Sequence, residues 1–281
     1  MSWAHVLALG TAGLASMKAA MDRGDLDEAT RQGALAGPAI VEAALEAVDR
    51  PTRLAAIAAA PSTEDRAELL DGLARAASGP DRRSAVPAAH AAREIARGLA
   101  GAGTSVDLPD DLAPDDLARW RDTWAAIATN RERWIEIRVA ALDTAAALDR
   151  AIRTAGGAHR EGVGIDLGAT LGDPDPAVRA AVVMNVPAPV PSSLRPTLAS
   201  AVVKDTDDRV ALAAAQALCF DLADEPPEPT LDALGEPGLA RLRSLATTKG
   251  TPRAALVELA YCLAADKSPA STDVLRVIRR R

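Results

Sequence analysis

Two short stretches of this chain carry the same helix start. LGDPDPAVRAAVVMNV begins at Leu171 and VVKDTDDRVALAAAQAL at Val202. Asp173, Asp175 and Val178 of the first recur 32 residues on as Asp205, Asp207 and Val210 of the second. Each aspartate pair stands just before an Ala/Val/Leu-rich run with helical spacing. An aspartate there can accept hydrogen bonds from the free N–H groups of the first helical turn, worth about 1 kcal/mol each. A start signal repeated at an interval predicts stacked helical hairpins, because one hairpin of this length cannot bury its apolar stripe alone.

Composition agrees with an all-α chain. Four Trp, one Tyr and one Phe are the only aromatics, while 48% of the residues are apolar and Ala is abundant. Ala is the best helix former and lets helices approach closely. No sustained alternating run of Val, Ile, Tyr, Phe or Thr marks a strand.

The pass along the chain predicts one α-solenoid domain over 1–281. Residues 1–36 form N-terminal capping helices, 37–265 the repeats, and 266–281 a capping helix with a basic tail ending in Arg279, Arg280 and Arg281. Inner helices are expected over Arg53–Ala60, Val86–Leu99, Glu132–Leu148, Pro176–Val186, Asp207–Leu218 and Arg253–Ala264. Gly101–Asp116, with Asp107, Asp110, Asp111, Asp115 and Asp116, reads as a solvated loop, as does DEPPEP at 224–229. Leu117, Trp120, Trp124 and Ile127 make one stripe of an outer helix, and Trp134, Ile137, Ala141 and Ala145 the matching stripe of its partner. Trp3, Leu7, Leu14, Met17 and Met21 mark an amphipathic first helix or cap.

The run Asp173-x-Asp175-x-x-Val178-Arg179 resembles the second-helix start of the HEAT-repeat family, with Ala211 in the arginine's place in the next copy. WIEIRVAALDTAAAL, from Trp134, is similar too, with Ile137-Arg138 at the positions of Val178-Arg179. The resemblance covers about 130–265. It implies a right-handed α-solenoid of about six hairpins and a ladder across the stack, in which the arginine reaches the aspartate of an adjacent repeat. Arg138 and Arg179 would be ladder arginines, Asp173, Asp175, Asp205 and Asp207 its acidic side, and Ala211 a missing rung.

Net charge −7 and a pI near 5.1 make nucleic acid a poor partner, since a duplex-binding surface must offset a dense line of phosphates. His5, His90 and His159 are scattered, and no HExxH, GxSxG or Gly-rich phosphate loop occurs. The chain is therefore expected to be non-catalytic, with no cofactor and no metal. HEAT-like repeats also build DNA glycosylases, and Trp120, Asp122, Trp124 and Arg138 fit that comparison. The acidic balance and the core spacing of the tryptophans oppose it. A lyase-like role has no specific residue behind it.

Cys219 and Cys262 read as free, buried small hydrophobes. A disulfide between neighbouring repeats is the other reading, and it requires an oxidising compartment. The first apolar segment is too short to span a bilayer and no Lys or Arg precedes it, so a cytoplasmic protein is expected. A periplasmic or exported one is the alternative if that segment is a remnant signal.

The expected function is a scaffold that binds a protein or peptide through its concave inner-helix face. Trp134, Arg131, Arg133, Arg138 and Arg179 are the candidate contacts, because Trp and Arg are favoured at interface hot spots. An enzyme on the same scaffold and a self-assembling structural protein are the rival readings.

Overall fold

In the computed structural model the described residues are 15–20, 22–102, 113–156, 166–220 and 228–280. Those described residues contain helix and turn but no strand. They form two compact units, 1–165 and 166–281. Trp3, Leu7, Leu14 and Met21 of the expected first stripe lie outside the described residues, whereas Met17 is fully buried.

The first unit runs α1 (Leu26–Ala36), α2 (Pro38–Leu45), α3 (Arg50–Ala59), α4 (Leu70–Ala77), α5 (Arg82–Ala102), α6 (Pro114–Thr129) and α7 (Ile135–Gly156). α2/α3, α4/α5 and α6/α7 pair as hairpins, and an inner row α1–α3–α5–α7 packs in sequence order beside an outer row α2–α4–α6. The second unit runs α8 (Leu167–Leu171), α9 (Pro176–Met184), α10 (Arg195–Lys204), α11 (Asp208–Phe220), α12 (Glu228–Thr247), α13 (Arg253–Ala265) and α14 (Pro269–Arg279). Its inner row is α9–α11–α13 and its outer row α10–α12–α14. Among the described residues the helices pack chiefly on their sequence neighbours and next neighbours, as stacked hairpins require.

The aspartates explain why inner helices start where they do. Asp49 accepts from Thr52 N at 3.0 Å and Asp81 from Arg83 N at 3.2 Å. Asp175 accepts from Ala177 N at 2.8 Å and Asp207 from Arg209 N at 2.9 Å. In both copies of the repeated motif the first aspartate fixes the turn that presents the second. Asp173 Oδ1 accepts Asp175 N, and Asp205 Oδ1 accepts Asp207 N, each at 2.9 Å. The same residue types at the same spacing thus close the same local loop twice.

Three expected boundaries change. α5 extends through Gly101 and Ala102, and Asp115 and Asp116 are not loop residues. They sit in the first turn of α6 behind Pro114, where their negative charge complements the positive end of the helix dipole. Asp107, Asp110 and Asp111 lie outside the described residues. Helical structure reaches back to Glu228, inside the stretch read as an acidic loop, and breaks at Gly235, whose φ of 57° and ψ of −177° suit glycine alone. Pro237 then lets the second half of α12 set off in a new direction.

Candidate partner-binding faces

The two cysteines are not free, as the sequence led one to expect, but bonded. Cys219 of α11 and Cys262 of α13 are joined, with Cα atoms 5.3 Å apart, and both are almost wholly buried. Adjacent inner helices place two equivalent positions within disulfide reach, a relation that the 43-residue separation conceals in the sequence.

The sequence-derived candidates do not make one surface. Arg131 is exposed, and the half-buried Arg133 donates from Nη1 to Ser78 O at 2.5 Å, tying the α6/α7 turn to the end of α4. Trp134 is half-buried, and its carbonyl accepts Ile137 N and Arg138 N at 3.0 and 3.1 Å as α7 begins. Arg138 is only 3% exposed and donates from Nε to Ala128 O at 3.0 Å, so it braces the hairpin from within rather than meeting a partner. Trp120 and Trp124 are buried in the core, which removes them from any groove a flipped base could enter.

Arg179 belongs to the second unit and is a strut between hairpins. Its Nε and Nη2 grip Asp205 at 2.8 and 2.9 Å, while Nη1 donates to the carbonyls of Asp173 and Pro174 at 2.8 and 3.1 Å. The fork therefore joins the turn before α9 to the turn before α11. The exposed Arg209 pairs with Asp207 instead, at 2.8 Å, and holds that half-buried carboxyl down to about 2.

The Arg179 guanidinium also keeps Asp205 below the usual carboxylate range, chiefly through its two hydrogen bonds. A depressed carboxylate stabilises the fold above its ordinary value near 4, and the contribution fades as pH falls through the lowered one. Arg179→Ala should cost about 2–4 kcal/mol at neutral pH, since it leaves Asp205 mostly buried without its cation. In urea unfolding followed from pH 7 to pH 2, the gap between wild type and variant should close as Asp205 protonates. A gap constant across that range contradicts the assignment.

Free surface of a different kind lies on the inner helices of the second unit. α13 buries Leu256, Leu259 and Leu263 yet also carries Val257 and Tyr261, 51% and 65% exposed, on its open side. Met184, ending α9, is 70% exposed. A groove of about 330 Å³ is lined by Val183, Met184, Pro187, Val190, Gln216 and Glu258, among others. Glu258 is its only charged lining residue and accepts Gln216 Nε2 at 2.6 Å. Large apolar side chains gathered on one open face mark an interaction surface rather than ordinary scatter. The clue in the sequence was the apolar stripe of α13 running round the helix instead of along one side.

The inner helices of the first unit are charged. Arg82 pairs with Glu136, and Asp143 receives Arg97 at 3.1 Å and Arg93 at 3.6 Å. Arg153 reaches Asp149 at 2.9 Å and Arg121 the same carboxylate at 3.6 Å. Desolvation, helped by Arg93, pushes His90 below its ordinary value.

The fold and these faces define an all-α helical-repeat protein built from stacked hairpins. No protein family description and no curated protein matches the sequence. Among solved structures, an engineered protein determined by a structural genomics consortium is similar at 20% identity and a TM-score of 0.51, over 81% of this chain and 95% of that one. Kap121p in complex with RanGTP aligns at 16% identity and a TM-score of 0.49, over 94% of this chain. The alignment spans 31% of the Kap121p chain. At such identity the likeness to the engineered protein speaks for the fold alone.

Proposed function

We propose that this chain is a non-catalytic HEAT-type scaffold that binds a protein or peptide partner through its inner-helix faces. The observation that carries the reading is the exposed Met184 lining the groove of the second unit, with Val257 and Tyr261 exposed on α13 on either side of Glu258, which also lines it. Aromatic and Met side chains are the types enriched where proteins meet, and nothing in the second unit's own packing uses these three. The struts and caps at the helix starts hold the row of inner helices in register, so that side chains from α9, α11 and α13 face one occupant together.

Photo-crosslinking tests this. A benzophenone amino acid is placed singly at Met184, Val257 or Tyr261, and for comparison at Val203, which is 38% exposed on the outer helix α10. In cells that make the protein, the inner positions should capture one common partner that Val203 does not. Equal capture from all four positions, or none from the inner ones, sinks the reading. Capture of a second copy of the chain would support self-assembly in its place.

No helix among the described residues is long and apolar enough to cross a membrane. The buried disulfide favours an oxidising compartment, because such bonds are rare where cytosolic reductants keep thiols reduced. Of the two compartments open to the chain, the exported one is the more consistent with Cys219–Cys262.

A further inference from the structure

Four arginines line up where α5 and α7 pack side by side in the inner row: Arg93 and Arg97 on α5, Arg150 and Arg153 on α7. Two aspartates answer them. Asp143 takes Arg93 and Arg97, and Asp149, which is 5% exposed, takes Arg153. Arg150 has no ion pair among the described residues. Desolvation, then Arg153 and Arg97, disfavour its charged form, while the pull of Asp143 and Asp149 offsets part of this. The nearby Glu136 is occupied by Arg82.

This is an unusual balance for a chain of net charge −7. Counting Arg121, which reaches both Asp149 and Asp122, five guanidiniums meet three carboxylates, so the face holds a surplus of two positive charges, and Arg150 is the one of the five without an ion pair among the described residues. The arginines are also ready to bind. Asp143 and Asp149 hold three of the four in place, so little side-chain freedom remains to be lost. An added carboxylate beside Arg150 would relieve repulsion already present and form charge-assisted hydrogen bonds.

We infer that this face of the first unit is a binding site for an acidic segment of a protein partner, its neighbouring Asp or Glu carboxylates seated on Arg97, Arg150 and Arg153. A short run of carboxylates matches the small patch, in which Asp143 and Asp149 alternate with the arginines. A nucleic-acid backbone would extend past the patch onto a strongly acidic protein, where its phosphates are repelled. The inference rests on the scaffold reading, to which it adds a second face and the chemistry of what that face takes.

The test titrates fluorescein-labelled octaglutamate against the full chain by anisotropy, with octaserine and octathymidylate as comparison ligands. Octaglutamate should bind, more weakly as salt rises, and tighter than either comparison. Arg97→Gln/Arg150→Gln should weaken it by about tenfold or more. Arg31→Gln/Arg276→Gln removes the same charge from exposed helix positions and should leave binding within about twofold. Arg97→Lys/Arg150→Lys keeps the charge and should recover part of the loss. Circular dichroism checks that each variant is folded, and Arg150→Gln alone serves should the double variant not be. The inference is overturned if octaglutamate does not bind, if the two glutamine pairs weaken it equally, or if octathymidylate binds as tightly. Crosslinking from Tyr261 separates the two failures. If it persists, only the acidic-segment site falls; if it too is lost, the scaffold reading goes with it.

Discussion

Trp124→Ala is expected to destabilise the protein by about 3–5 kcal/mol, the range for emptying a fully buried aromatic site. Trp124 has no exposed surface and lies with Leu117, Trp120 and Ile127 on the face of α6 that packs against α7. α7 buries many small residues, Ala140, Ala141, Ala145 and Ala147 among them, beside the larger Ile137, Leu142 and Leu148. A close-packed interior relaxes only partly into a space the size of an indole, so much of the cavity stays open. Trp124→Phe should cost far less, about 1–2 kcal/mol. The indole Nε1 of Trp124 is buried without a hydrogen-bond partner, so the substitution discards a donor that gained nothing from being there. Urea unfolding monitored by circular dichroism measures both. Equal losses for Ala and Phe would mean that the indole N–H is satisfied after all.

The disulfide carries the other large effect. Cys219 and Cys262 close a loop of 43 residues through the core of the second unit. Loop-closure entropy assigns such a link about 4 kcal/mol at 25 °C, acting mainly by restricting the unfolded chain. Cys219→Ala/Cys262→Ala should therefore lower the urea midpoint by an amount that a reducing agent adds little to. Wild type should fall toward the same midpoint once unfolded and refolded under reducing conditions. Thiol alkylation of the unfolded, unreduced protein should find no free cysteine. Two alkylated cysteines would show that the bond is not made in the native protein, and would remove the argument for an oxidising compartment.

How far the sequence could be read depended on the range of the forces involved. Asp-x-Asp before a helix acts within a few residues, through Asp173 on Asp175 N and Asp175 on Ala177 N, so both copies were legible at sight. The Trp120/Trp124 stripe was legible for the same reason, as a periodicity within one helix. The ladder came only by resemblance, because Arg179 and Asp205 are brought together by packing. In the sequence Arg138 and Arg179 fit both a ladder and a partner contact, and the structure spends both on internal bonds. The Cys219–Cys262 link depended on knowing which helices are next to each other in the inner row. So did the arginine cluster: Arg93 and Arg97 are visible four apart on α5, but not that Arg150 of α7 faces them. Val257 and Tyr261 were in view throughout, and their meaning waited on knowing which side of α13 was covered.

Hydrogen exchange resolved along residues 166–280 tests the stacked-hairpin account most directly. In such a stack a helix is protected by its neighbours on either side, and stability falls off toward the end of the row. α11, flanked by α9 and α13, should exchange slowest, and α14, packed only against α12 and α13, fastest among the longer helices. Equal protection from α9 through α14, lost together in a single opening, would contradict it.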